Sequence, residues 1–143
     1  MRRLSAAASI SCLLLVTGCG LTAGPEVSAV TPVPASRDSA WVRAKRALTA
    51  EVFTLDVQDS VGGRLTAMRY PSASAKQGTA AACRVQLAMK LEGSGESAQV
   101  TSDSRWISPE AMASEHPDIC EKERQETLDR ILLVVAPAPV ATP

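Results

Sequence analysis

Histidine is almost missing from this chain: His116 stands alone among 143 residues. One imidazole cannot make a metal-ligand set, and no G-x-S-x-G turn accompanies it to suggest a histidine-assisted nucleophile. Its place just before the last predicted helix reads as a surface loop. Net charge is missing too, with 15 basic side chains balancing 15 acidic ones. That balance excludes the electrostatic footprint of a nucleic-acid binder and any large polybasic membrane patch. No apolar run is long. The greasiest stretch, Ala6–Val16, has 11 residues, whereas a bilayer-spanning helix needs about 20. Phosphate-cradling loops are absent as well: the GSGE segment, Gly93–Glu96, lacks the Lys and following Ser or Thr of such a loop. No internal repeat is visible, and no cofactor is expected.

What is present begins with LLLVTGCG, Leu13–Gly20. Arg2 and Arg3 precede an apolar middle, and small residues precede a break, which is the layout of an export signal over residues 1–18. Its removal takes two arginines and no acids, leaving a formal charge of −2 on the rest. Cys12 would be discarded with it.

Val16-Thr17-Gly18-Cys19 resembles the lipobox of bacterial lipoproteins: an aliphatic residue, a small one, Gly or Ala, then Cys. The resemblance covers about the first 20 residues. It implies that a diacylglyceryl group is attached to the Cys19 thiol, that a signal peptidase cuts before it, and that the new amino group is acylated. A thiolate is a good nucleophile at modest pH, and Gly18 leaves the scissile bond unhindered. Each buried methylene contributes about 0.8 kcal/mol, so two or three palmitate-like chains would hold the protein firmly to a membrane. Position two of the mature chain is Gly20 rather than Asp. In double-membraned bacteria this implies transfer to the outer membrane, with the protein facing the periplasm.

Composition divides the remainder. Residues 19–37 carry Pro25, Pro32 and Pro34 with no apolar periodicity, and are expected to form a flexible linker behind the lipidated cysteine. Residues 38–135 form the folded domain. Residues 136–143 hold Pro137, Pro139 and Pro143 and are expected to be a disordered tail.

Within the domain, Asp38 or Ser39 could cap a helix over Ala40–Ala50 with Trp41, Ala44, Ala47 and Leu48 along one side. Four strands follow. Val52–Asp59 alternates with Phe53, Leu55 and Val57 on one face, and RLTAMRY runs on to Pro71. CRVQLAMKLE puts Cys83, Val85, Leu87, Met89 and Leu91 inward, and AQVTSDSRWI returns as a more polar strand. A last helix, Pro117–Val134, carries a stripe of Cys120, Thr127, Leu128, Ile131 and Val135. The expected fold is α+β: helix, four-stranded antiparallel meander, helix, with both helices on one face of the sheet. In element order alone it resembles the helix-grip domains of outer-membrane assembly lipoproteins.

Cys83 and Cys120 fall on the inward sets of strand and helix, so a disulfide between them would staple helix to sheet in an oxidising compartment. A pair of free core thiols is the other reading. Asp56 and Asp59 lie three apart, which places them on opposite faces of a strand rather than as paired catalytic acids. Glu121, Glu123 and Glu126 read as a solvated helix face. No catalytic residue is assigned. The expectation is a lipid-anchored envelope protein that is not an enzyme, an accessory for binding or assembly with an envelope protein partner on the polar face of its sheet. Two alternatives stand beside it: an envelope hydrolase using carboxylates, and a carrier of a small apolar ligand between helices and sheet.

Overall fold

Side chains two apart along an extended chain share a face, so a strict polar–apolar alternation commits a segment to a half-buried strand. The computed structural model describes residues 20–138. Along the chain it places β1 (Leu21–Ala23), β2 (Val27–Val33), α1 (Arg37–Ala50), β3 (Thr54–Asp59), β4 (Arg64–Arg69), β5 (Arg84–Ser94), β6 (Ser97–Pro109), α2 (Glu110–Glu115) and α3 (Pro117–Val135), with a 3-10 turn at Ala80–Ala82 before β5. One antiparallel sheet runs β1-β6-β5-β4-β3, and β2 also pairs with β6.

The class is α+β, as the sequence implies, but the sheet has six strands rather than four. The difference lies in residues 19–37, expected as a linker. Leu21 pairs with Pro109 and Ala23 with Ile107, while Val27 to Val33 run against Ser104 to Ala98. The physical reason is β6. It spans 13 residues, and its buried face would lie open along one edge without a further strand. Val33 and Ala35 fill that flank and are buried in the main core. Pro32 is tolerated because β2 is an edge with a neighbour on one side only. Gly24 interrupts this edge between β1 and β2. Its N–H donates to the Trp106 carbonyl at 2.9 Å, and a Cβ there would lie 2.2 Å from Trp106 Nε1.

The two long helices cover one face of the sheet. Ser36, not Asp38 or Ser39, caps α1: its hydroxyl accepts from the Ser39 N–H, so the helix begins earlier than its apolar spacing implies. Ala40, Ala44, Ala47 and Leu48 turn inward, and the three alanines let α1 lie close to the sheet. From α3 come Leu128, Ile131 and Val135, which meet Leu65, Leu87 and Val100 of the strands in one core. Val57 departs from its expected place. A bulge between Leu55 and Val57 turns it outward, leaving it 46% exposed.

Cys83 and Cys120 are joined by a disulfide, with Cα atoms 5.4 Å apart. The bond sits in a second, smaller core with Ala82, Trp106 and Met112. Residues 1–18, Cys19 and residues 139–143 lie outside the described part. Ala136, assigned to the tail, packs against the main core. Among the described residues no helix is long and apolar enough to cross a membrane.

Candidate functional site

Alternation along β4 sends Leu65 and Ala67 into the core and then, two residues on, a guanidinium. Arg69 thus points to the helix side at the end of its strand. Its charge lies over the Phe53 ring, 5.8 Å from the centroid, and faces Glu123 of α3, whose Oε1 is 2.5 Å from Nη2. Each of these two side chains is only 16% exposed. Glu123 also accepts from Thr127 Oγ1 at 3.1 Å. Glu51, at the end of α1, accepts two bonds of 2.9 Å from Arg130 and lies 3.8 Å from Arg69. The bonds to Glu51 raise the Arg130 pKa above its ordinary value. Two acids and two arginines thus tie α1, β4 and α3 together with no net charge.

Over this network opens a cleft of about 590 Å³, lined in part by Val52, Tyr70, Pro71, Ala80, Ala81 and Cys83, with Arg69 and Glu123 at its polar end. The volume suits a small organic molecule. Its walls are mainly apolar, and its polar end offers a guanidinium and a carboxylate already paired to each other. Such a site fits a molecule with an apolar body and one polar group. Glu123 is the one acid on the cleft wall among the described residues.

A second polar cluster is structural. Arg124, only 2% exposed, donates from Nη1 to Ser104 Oγ at 2.8 Å. Its Nε and Nη2 donate to Glu121. This hydrogen bonding, with the Arg124 charge and a bond from the Trp106 side chain, holds the Glu121 carboxyl below the usual carboxylate range. Glu121 and Glu123, expected on a solvated face, are therefore engaged by arginines. Glu126 does lie on that face, 3.8 Å from Lys122.

Of the other residues singled out, Cys83 borders the cleft through its disulfide, and Cys19 lies outside the described residues. Asp56 is exposed at the bulge. Asp59 accepts from the Gly62 N–H at 2.8 Å and pairs with Arg64, and these contacts lower its pKa, the Gly62 bond most. The two acids do not converge on a substrate site. His116 lies against Gly78, beside a hollow of about 320 Å³ with Pro109 and Met112. Among the described residues no cluster of His, Cys, Asp and Glu is placed to hold a metal.

No protein-family model matches this sequence, and no curated protein matches it. Solved structures do. Norcoclaurine synthase of Thalictrum flavum is 12% identical with a TM-score of 0.40, over 86% of this chain and 99% of that one. TTHA0849 of Thermus thermophilus is 14% identical with a TM-score of 0.47, over 78% of this chain and 94% of that one. Ara h 8.0201 is 9% identical with a TM-score of 0.50, over 81% of this chain and 98% of that one. The chain therefore shares its fold with Ara h 8.0201: a long C-terminal helix laid across one face of an antiparallel sheet.

Proposed function

We propose that this protein is a lipid-anchored envelope domain that binds a small, mainly apolar molecule with one polar group, and that it catalyses no reaction on it. The observation that carries this reading is the cleft between the end of β4 and α3. Its apolar walls end on the paired Arg69 and Glu123. A hydrolase acting through two carboxylates would need a second acid facing Glu123. Glu51, which shares Arg69 and Arg130 with Glu123, is already engaged by Arg130 through both its oxygens. Anchorage through acylated Cys19 follows from the lipobox resemblance.

Titration of the full-length, detergent-solubilised protein with 1-anilinonaphthalene-8-sulfonate tests the cleft. Ala81→Trp fills it and should weaken probe binding at least about tenfold, roughly the loss of 1.4 kcal/mol. Val61→Trp, on the far β3–β4 turn, should leave binding unchanged. Equal binding by both variants sinks the proposal. Labelling with a palmitate analogue tests the anchor, and Cys19→Ala should lose both label and membrane retention.

A second reading, an assembly accessory for an envelope protein, rests on the outer face of the sheet. There Gln86, Lys90, Thr101, Asp103 and Arg105 form a polar plate opposite the helices. Recovery of one stable partner from solubilised envelope, lost on Lys90→Glu with Arg105→Glu, would favour it.

A further inference from the structure

We infer that the cleft end of the domain rests directly on the bilayer that holds Cys19, and that the cleft takes its ligand, a membrane-resident amphiphile, from that bilayer. The inference deepens the proposed function and rests on it for both the anchor and the cleft. Three observations carry it.

The first is the lack of a tether. An extended linker over residues 19–37 would reach on the order of 60 Å. Instead β1 begins at Leu21, hydrogen-bonded into the sheet opposite Pro109. Only Gly20 separates it from Cys19, and two chain steps span at most about 7 Å. A domain so attached has no room to stand off from the headgroups.

The second is register. Ala23 pairs with Ile107, Ile107 with Arg84, and the neighbouring Val85 with Arg69. The start of β1, the end of β6, the start of β5 and the end of β4 therefore lie at one end of the sheet. The same end holds the α1–β3 turn at Val52 and Tyr70 at the cleft rim. Strands lie about 4.8 Å apart, so β1 and β4 are roughly 15 Å from each other across the sheet. The point of attachment and the cleft share one edge of the molecule.

The third is what that edge exposes. Leu21 is 55% exposed, Val52 78% and Tyr70 54%. Val52 has a φ of +61°, the one positive value at a non-glycine residue among those described. A β-branched side chain is strained there, where Gly or Asn would be relaxed. Backbone bonds from the Val52 and Phe53 N–H groups to the Thr49 and Leu48 carbonyls hold this turn, and it presents the apolar side chain to solvent. Tyr70, stacked under Arg84 at 5.7 Å, has the amphipathic shape that favours the water–lipid boundary. An amphiphile lifted from the bilayer would bring its apolar part between Val52, Tyr70 and Ala81 and its polar group to Arg69 and Glu123.

The test uses the full-length acylated protein in vesicles of phosphatidylcholine and phosphatidylglycerol. A nitrobenzoxadiazole fluorophore is attached at Val52→Cys, at Tyr70→Cys or, at the opposite end, at Val61→Cys, the native disulfide being left oxidised. Spin-labelled lipid should quench the first two labels and leave the third untouched. A flexible Gly/Ser segment of about 20 residues inserted between Gly20 and Leu21 should relieve that quenching. The insertion should also slow transfer of a dansyl-labelled lysophospholipid from vesicle to protein, without changing the affinity of that lipid in detergent. Equal quenching at all three positions, or none at Val52 and Tyr70, overturns the inference whatever the cleft binds. Quenching as expected, with no binding of the dansyl lipid in detergent, sinks the cleft as a lipid site and leaves the orientation standing.

Discussion

Arg124 of α3 reaches across to β6 and donates to Ser104 Oγ at 2.8 Å, with 2% of the arginine open to solvent. A charge this buried is held by its partners and by the packing of its stem.

Arg124→Ala should therefore cost about 3 kcal/mol in urea unfolding, since it opens a cavity and leaves Ser104 without its donor. Ser104→Ala should cost about 1 kcal/mol, and the double variant less than the sum because the two share one interaction. Additive losses would mean that the bond is not coupled in this way.

Acid should destabilise the protein through Glu121. Its folded pKa is depressed, chiefly by the hydrogen bond to Arg124. Above the unfolded value of about 4.3 the carboxylate's contribution is fully present, and it is lost as pH falls through the lower folded value. Glu121→Gln should flatten the stability profile in that window and lower stability near neutral pH, because the contribution that acid removes from the wild type is then missing at every pH. An unchanged acid limb would exclude Glu121 as its source.

The disulfide closes a sequence separation of 37, for which loop entropy gives about 4 kcal/mol, a model-dependent figure. The double substitution Cys83→Ala with Cys120→Ala should lower unfolding free energy by roughly that amount, a large part of the 5–15 kcal/mol typical of a domain. A loss below about 1 kcal/mol would show that the entropic argument fails here.

Gly24→Ala would drive a methyl group to 2.2 Å from Trp106 Nε1. The edge must then shift, at a cost of about 1–3 kcal/mol. Trp106 emission should move to the red as β1 loosens and water reaches the ring. An unaltered spectrum and an unaltered midpoint would contradict the tight approach of β1 to β6.

Much of this fold was legible because alternation and helical spacing are local signals. β5 carries the cleanest alternation, and its inward set, Val85 to Leu91, is the buried one. β2 was not legible because its case depends on a distant partner. Val27, Ala29, Thr31 and Val33 do alternate with Ser28, Val30 and Pro32, but two of these residues are small or polar and prolines crowd the segment. Only the open edge of β6 makes a strand of it. At the site, the stripe Cys120, Thr127, Leu128, Ile131, Val135 leaves a gap at 124, four residues from 120 and from 128. That gap was the available sign that Arg124 is buried. Glu123, one turn before Thr127, follows the same logic. Its partner Arg69 could not be paired with it from sequence, because that contact exists only once α3 lies on the sheet.

The pairing of Ser28 with Asp103, 75 positions apart, bears on when the chain can fold. Distant partners are slow to meet, since the intervening loop must close before any contact rewards it. An emerging polypeptide of this sequence holds its first strand without a mate until β6 has been delivered. If the chain is exported as proposed, a translocation channel would receive a thread rather than a knot, and Cys19 would stay accessible until the chain had come through as far as Pro109, the end of β6.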